Sequence, residues 1–339
     1  MKKKILFIEN KAGVFYWDRI SSYLNNKYEI HWIIQNHFYI PKFGIKHIIK
    51  YPQPKDLIKI NNNNNSYKKI ISADRGHNYY GQKTDHYIYY YKQIRRIISK
   101  INPSLIIGEA TLFHELIAIK IAKELKIRFI FPSNSRYLTG RTSFYKYDTS
   151  NYIVNKSKDS LISDIKLNKL INSIRNKNYK NDYIFENSFS FYLKLFGIKL
   201  IAFFAYLNGE KYNTHSPYLY AKLSFLRKFN FYLWTFYTHK TKKNLDYLLK
   251  KKTLLFPLQL QPETSINVWG YPHANQIKII KELSHKLKKI GYFLAVKPNP
   301  KFKYEVNFKS FSEIRKISNV ILIPPKTKMS YLLKRCEAI

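Results

Sequence analysis

The chain has 339 residues, 45% hydrophobic and 17% aromatic, enough apolar surface for about two packed domains and too much for wholesale disorder. Its 60 Lys and Arg against 21 Asp and Glu leave a net charge of +39, which draws nucleic acid, anionic lipid head groups or phosphorylated small molecules without choosing among them. A single cysteine, Cys336, excludes an internal disulfide and a cysteine-based zinc site and fits a reducing, cytoplasmic setting. Part of the basicity is compositional, because Lys, Asn, Ile, Tyr and Phe are all abundant while Gly numbers only 10.

Residues 5–8 form an apolar run that Glu9, Asn10 and Lys11 end too early for a signal peptide, so it reads as a first strand. A loop, Asn10-Lys11-Ala12-Gly13, then leads into a helix reaching about Asn26 and a second strand over 29–34, with another over 45–49. The Asn run 61–65 has no means of packing. His77 and His86 fall in what reads as a polar loop. Tyr87, Tyr91, Ile94 and Ile98 share one helical face, and Asn102-Pro103 ends that helix before a strand over 105–108. Phe113, Ile117, Ile121 and Leu125 make the next stripe, with Thr111 as N-cap, followed by a strand over 128–131 and a loop over 132–148. This alternation is that of βαβ units around a parallel sheet, whose carboxyl edge binds ligands.

Residues 151–185 are polar and read as a solvated helical or linker stretch. Between 191 and 207, and again between 225 and 237, aromatic and aliphatic residues are dense but interrupted by Lys194, Lys199, Arg227 and Lys228. Neither run is a spanning helix. They read either as helices packed between two domains or as an in-plane anchor on an anionic membrane. From Thr253 a second α/β pattern begins, with strands over 254–258, 292–296 and 319–323 and helices over 274–289 and 329–336. Glu337-Ala338-Ile339 reads as the opening of a further apolar run, so the second domain is expected to be incomplete.

Phosphate-binding glycine motifs, Cys pairs and Asp-x-Asp are missing from the sequence. His114-Glu115 begins like a zinc-protease motif, but Ala118 stands where the second histidine ligand belongs, so no metal is expected. The remaining candidates sit at sheet edges. Glu109 follows a strand directly, suiting a general acid or base, or a charge that favours a helix N-terminus. Arg136 and Arg141 flank Gly140, as guanidinium forks for a phosphate or carboxylate or as ordinary surface arginines. Pro257-Leu258-Gln259-Leu260-Gln261-Pro262-Glu263-Thr264-Ser265 presents Gln261, Glu263 and Ser265 from a proline-restricted loop after a strand. Val296-Lys297-Pro298-Asn299-Pro300 places Lys297 and Asn299 at the same rim.

These two loops, with Asn319-Val320, resemble the capsule polysaccharide biosynthesis family of bacterial glycosyltransferases, whose pattern is Pro-Leu-x-x-Gln-Pro-Glu-x-Ser followed by Val-Lys-Glu-His-Pro and an Asn-Val strand. The likeness runs over about residues 70–339; Glu109, His114-Glu115 and the stretch 136–145 match its first-domain pattern less specifically. It implies an α/β fold of two Rossmann-like domains (GT-B): 1–150, a helical, aromatic-rich connecting region 151–250, and a partial second domain 251–339. It further implies an active site in the cleft, no bound metal or cofactor, and transfer from a nucleotide sugar, CMP-Kdo among the donors, to a saccharide or lipid-linked acceptor. The expected setting is the cytoplasm, peripheral on the inner membrane. Glu109 is then the catalytic carboxylate, Gln261, Glu263, Ser265 and Asn299 hold substrate or nucleotide, and Lys297, Arg136 and Arg141 neutralise phosphate or carboxylate. Two departures bear on activity: Pro298-Asn299 replaces the family's Glu-His, and the family's segment beyond the Ala338 position is not in this sequence. An inactive remnant is therefore the alternative, and a basic nucleic-acid-binding protein a further one, although no nucleic acid is expected because no recognition motif accompanies the charge.

Overall fold

A computed structural model describes residues 2–60, 66–134, 142–151, 153–154, 163–175, 189–299 and 307–339. The chain divides into two compact units, Met1–Ile70 with Gln82–Thr214, and Ile71–Gly81 with His215–Ile339.

The first unit is built on β1 (Lys3–Ile8), β2 (Tyr28–Ile34), β3 (Ile45–Ile48), β4 (Leu105–Ile107), β5 (Arg128–Asn134) and β6 (Thr142–Lys146), in the order β3-β2-β1-β4-β5-β6. All pairs are parallel except β5 with β6. Ile5, Leu6, Phe7 and Ile8 are all buried, as expected where helices cover both faces of a parallel sheet and a strand must be apolar on both sides. One face packs Ile5, Phe7, Ile30, Trp32, Ile34 and Ile107 with Val14 of helix α1 (Gly13–Leu24), and the Phe7 and Trp32 rings stack 4.8 Å apart. Helices α2 (Tyr87–Ile101) and α3 (Phe113–Glu124) pack against each other, burying Tyr87, Ile94 and Ile98 of the first expected stripe and Phe113, Ile117 and Ile121 of the second. Tyr90 takes the buried place expected for Tyr91, which is half-exposed and donates to Glu124, and Leu125 is half-buried just past the helix. Gly108 is favoured by close approach: a Cβ there would lie 3.2 Å from Ile8 Cβ and 3.3 Å from the Phe129 ring, tighter than most Cβ contacts.

Three local expectations are corrected. The stretch after residue 131 is not all loop, since β5 continues to Asn134 and β6 returns antiparallel beside it. Thr111 does not cap α3; Leu112 holds the N-cap position, and the Thr111 hydroxyl donates to Glu115 instead. His86 is not in a polar loop but buried at the start of α2, its ring 4.6 Å from that of Phe113 and 4.5 Å from that of Tyr212. Helix α4 (Phe189–Leu207) also belongs to this unit, with Ile201 packed on its core.

The second unit carries helix α5 (Pro217–Tyr237), then β7 (Thr253–Pro257), α6 (Gln276–Lys289), β8 (Phe293–Lys297), α7 (Phe308–Ile314) and β9 (Val320–Leu322), the strands forming a parallel sheet in the order β7-β8-β9. The period of two is visible in its core. Leu294 and Val296 join Trp234, Ile280, Leu287 and Phe311 on one face, while Leu255, Ala295 and Ile321 join Leu245, Leu249 and Leu332 on the other. Trp234 ties α5 to the sheet, its indole N–H donating to the Ile323 carbonyl at 2.9 Å. On the free edge of β7, Ala338 bridges Leu254 in parallel, with hydrogen bonds of 2.8 and 2.9 Å to either side. The short helix Arg75–Tyr80 belongs to this unit as well, with the Tyr79 hydroxyl accepting from Asn267 at 3.1 Å.

Candidate functional site

In the first unit the chain builds β1, β2 and β3 to one side and then crosses over to β4 and β5 on the other, so the crevice between the β1 and β4 loops is the switch point at which open α/β sheets take ligands. Two Glu residues open those loops. Glu9, fully buried, accepts from the backbone N–H groups of Lys11, Asn36 (2.9 Å) and Gln35 (3.3 Å). Burial lifts its carboxyl above the ordinary range, against the pull of the N–H groups of Asn36 and Lys11. The His114 ring is also buried, with Nε2 2.7 Å from the Glu9 carbonyl and Nδ1 3.1 Å from the Asn213 amide nitrogen. A carbonyl only accepts, so Nε2 carries the hydrogen and Nδ1 accepts from Asn213. Asn213 in turn donates to Gln35 (2.9 Å), which donates to Glu210 (3.0 Å).

Glu109 leaves the end of β4 with its backbone N–H donating to Glu115 Oε1 at 3.0 Å. Glu115 is the hub of this edge: its carboxylate also accepts from Asn10 (2.8 Å), from the Thr111 N–H and hydroxyl (both 3.0 Å) and from the Leu112 N–H (2.8 Å). The pair that looked like half of a zinc motif is thus a clamp between the β1 and β4 loops, and no metal-holding cluster exists among the described residues. The Glu109 carboxylate lies at the first turn of α1, where Oε1 would be 3.7 Å from a Cβ placed on Gly13.

In the second unit the β7 and β8 loops lie side by side, because Pro257 and Lys297 are register partners and the Leu258 N–H donates to the Lys297 carbonyl at 2.8 Å. Gln261 is buried and both its polar atoms are engaged: Nε2 donates to the Ala274 carbonyl (2.9 Å) and Oε1 accepts from Gln276 (3.0 Å). Gln276 also exchanges two hydrogen bonds with the Gln259 backbone, both 2.8 Å. Gln261 therefore holds the turn in place. Glu263, half-buried, sits just before the short helix Thr264–Asn267, and the Ser265 hydroxyl lies 3.4 Å from its Oε2. Lys297, 6% exposed, donates to the Pro298 carbonyl (3.2 Å) and the Pro325 carbonyl (3.3 Å), and burial pulls its amine below the ordinary lysine range. No carboxylate among the described residues forms an ion pair with it. Asn299 is half-buried two residues on. Arg136 and Arg141 lie outside the described residues.

The sequence reasoning passed over Glu9, Gln276 and Asn213. Glu9 had a signal, since it follows its strand much as Glu109 follows β4; Gln276 and Asn213 had none, because their partners are set only by folding.

No family model matches the chain, and no curated protein matches it. Among solved structures it is similar to UDP-GlcNAc 2-epimerase from Methanocaldococcus jannaschii (10% identity, 98% of this chain and 76% of that chain, TM-score 0.24) and to a putative UDP-N-acetylglucosamine 2-epimerase from Listeria monocytogenes (10%, 99% and 73%, TM-score 0.27). A third is UDP-GlcNAc 2-epimerase from Neisseria meningitidis bound to UDP-GlcNAc (10%, 99% and 76%, TM-score 0.26). At such TM-scores the likeness carries no argument, and the α/β assignment rests on the chain's own strand order and parallel pairing.

Proposed function

We propose that the chain is a glycosyltransferase of bacterial surface-polysaccharide assembly, moving a sugar from a nucleotide-activated donor to a saccharide or lipid-linked acceptor. The observation that carries the reading is Lys297, a buried ammonium at the carboxyl end of a parallel strand whose partners among the described residues are two carbonyl oxygens and no carboxylate. Burying a cation without a counter-ion is costly, and a donor phosphate at this edge would supply the missing charge. Glu263, Ser265 and Asn299 are assigned to hydroxyl and nucleotide contacts and Gln261 to the shape of the turn. Arg136 and Arg141 keep the roles of phosphate- or carboxylate-neutralising groups.

Glu109 is the candidate base. Its carboxylate would take the proton of an acceptor hydroxyl as that oxygen bonds to the anomeric carbon, while the sugar–phosphate bond breaks with its electron pair leaving on the phosphate. The test is calorimetric titration with CMP and UDP. Lys297→Met should weaken nucleotide binding at least tenfold while the ligand-free protein melts no lower than wild type, because an uncompensated charge has been removed. Binding by wild type should also fall as pH rises through the lowered lysine value, since the anion prefers the protonated amine. No nucleotide binding by wild type, or unchanged affinity in Lys297→Met, overturns the assignment.

A further inference from the structure

Helix α5 of the second unit has two opposite faces. Trp234, with Phe231 and Leu233 beside it, packs on the sheet, while Tyr218, Phe225, Phe229, Tyr232 and Phe236 are 46–78% exposed. Their spacing of seven, four, three and four residues keeps all five on one stripe, opposite Trp234 and about 27 Å long at 1.5 Å per residue. Lys222 and Lys228 are exposed and flank that stripe on either side. Residues 211–245 hold seven Lys or Arg and neither Asp nor Glu. Exposed aromatic residues continuous over this length mark a binding face, since isolated monomers seldom leave such a patch uncovered. The first unit repeats the device: Leu193, Phe196, Leu200, Phe203 and Leu207 of α4 are exposed at helical spacing.

We infer that the outer face of α5 docks on an anionic lipid bilayer, lying in the plane of the surface with its aromatic rings among the head groups and its lysines against lipid phosphates. Charge decides the occupant. A second copy of a +39 chain would bring lysine flank against lysine flank, whereas an anionic surface attracts each of them. No described helix is long and apolar enough to cross a membrane, which leaves in-plane contact as the geometry for this stripe. Lipid binding by this face and chemistry at the sheet edges can fail separately.

The test is flotation with phosphatidylcholine vesicles with and without 30% phosphatidylglycerol. Because a protein this basic is attracted to any anionic surface, the informative variant keeps every charge: Phe225→Ser, Phe229→Ser, Tyr232→Ser and Phe236→Ser together. Wild type should float with the anionic vesicles and not with the neutral ones, and the quadruple variant should lose at least tenfold in affinity while its circular dichroism spectrum and nucleotide binding are retained. Lys222→Glu with Lys228→Glu should weaken binding and flatten its salt dependence. Undiminished binding by the quadruple variant, equal flotation with neutral vesicles, or a concentration-dependent dimer that the variant abolishes would each overturn the proposal.

Discussion

Replacing Glu115 by alanine removes the acceptor for five donors at once: the backbone N–H groups of Glu109, Thr111 and Leu112, the Thr111 hydroxyl and the Asn10 amide. The two side-chain donors can turn elsewhere. The three backbone groups cannot, and Glu115 itself is fully buried, so water reaches them only through the space the mutation opens. At about 1–3 kcal/mol for a buried donor left unpaired, with part recovered by entering water, the loss is about 3–5 kcal/mol, a large share of the roughly 5–15 kcal/mol that holds a domain together. For a unit of this size that lowers the melting temperature by about 10 °C, read by differential scanning calorimetry. Glu115→Gln keeps the volume but sets an amide donor against one pair of donors, so about half the loss is expected. Since the same carboxylate holds the Glu109 backbone, Glu115→Ala should also depress the sugar transfer proposed for this chain beyond its effect on folding, measured well below the melting point. A drop of less than about 3 °C in Glu115→Ala would refute the view that this carboxylate clamps the two loops.

Two further outcomes follow from other buried groups. The raised carboxyl of Glu9 holds a proton in the folded unit above its ordinary value of 4.5, so its contribution to stability is full below that value and lost as pH rises through the folded one. In urea titrations between pH 4.5 and 8, the stability gap between wild type and Glu9→Gln should narrow as pH rises, and a widening gap would reverse the assignment. Trp234→Phe leaves the Ile323 carbonyl without its indole donor and opens a small void beneath α5, costing about 2 kcal/mol. Calorimetry should place that loss in the second unit's transition, with the first unit's unchanged.

Much of the scaffold was legible because parallel strands buried on both faces are written as unbroken apolar runs. The segments at β1, β2, β4 and β7 to β9 declare themselves within a residue or two. β6 did not, because Thr142–Lys146 is only partly buried and becomes a strand by pairing with β5. Nor did the short helix Arg75–Tyr80, whose place with the second unit is set by contacts far along the chain.

The same division runs through the candidate site. Local pattern was enough to set Glu109, Lys297 and Asn299 within two residues of a strand's end, whereas Glu263 and Ser265 lie beyond the turn after β7, at the start of a short helix. What each side chain does at that edge was decided by partners about 15 to more than 100 residues away. Gln261 meets Gln276, His114 meets Glu9, and Lys297 finds carbonyls but, among the described residues, no carboxylate. Periodicity carries the burial of a segment, because one element's own geometry sets it. It carries nothing about hydrogen bonds closed between elements, which exist only once the sheet has brought their ends together.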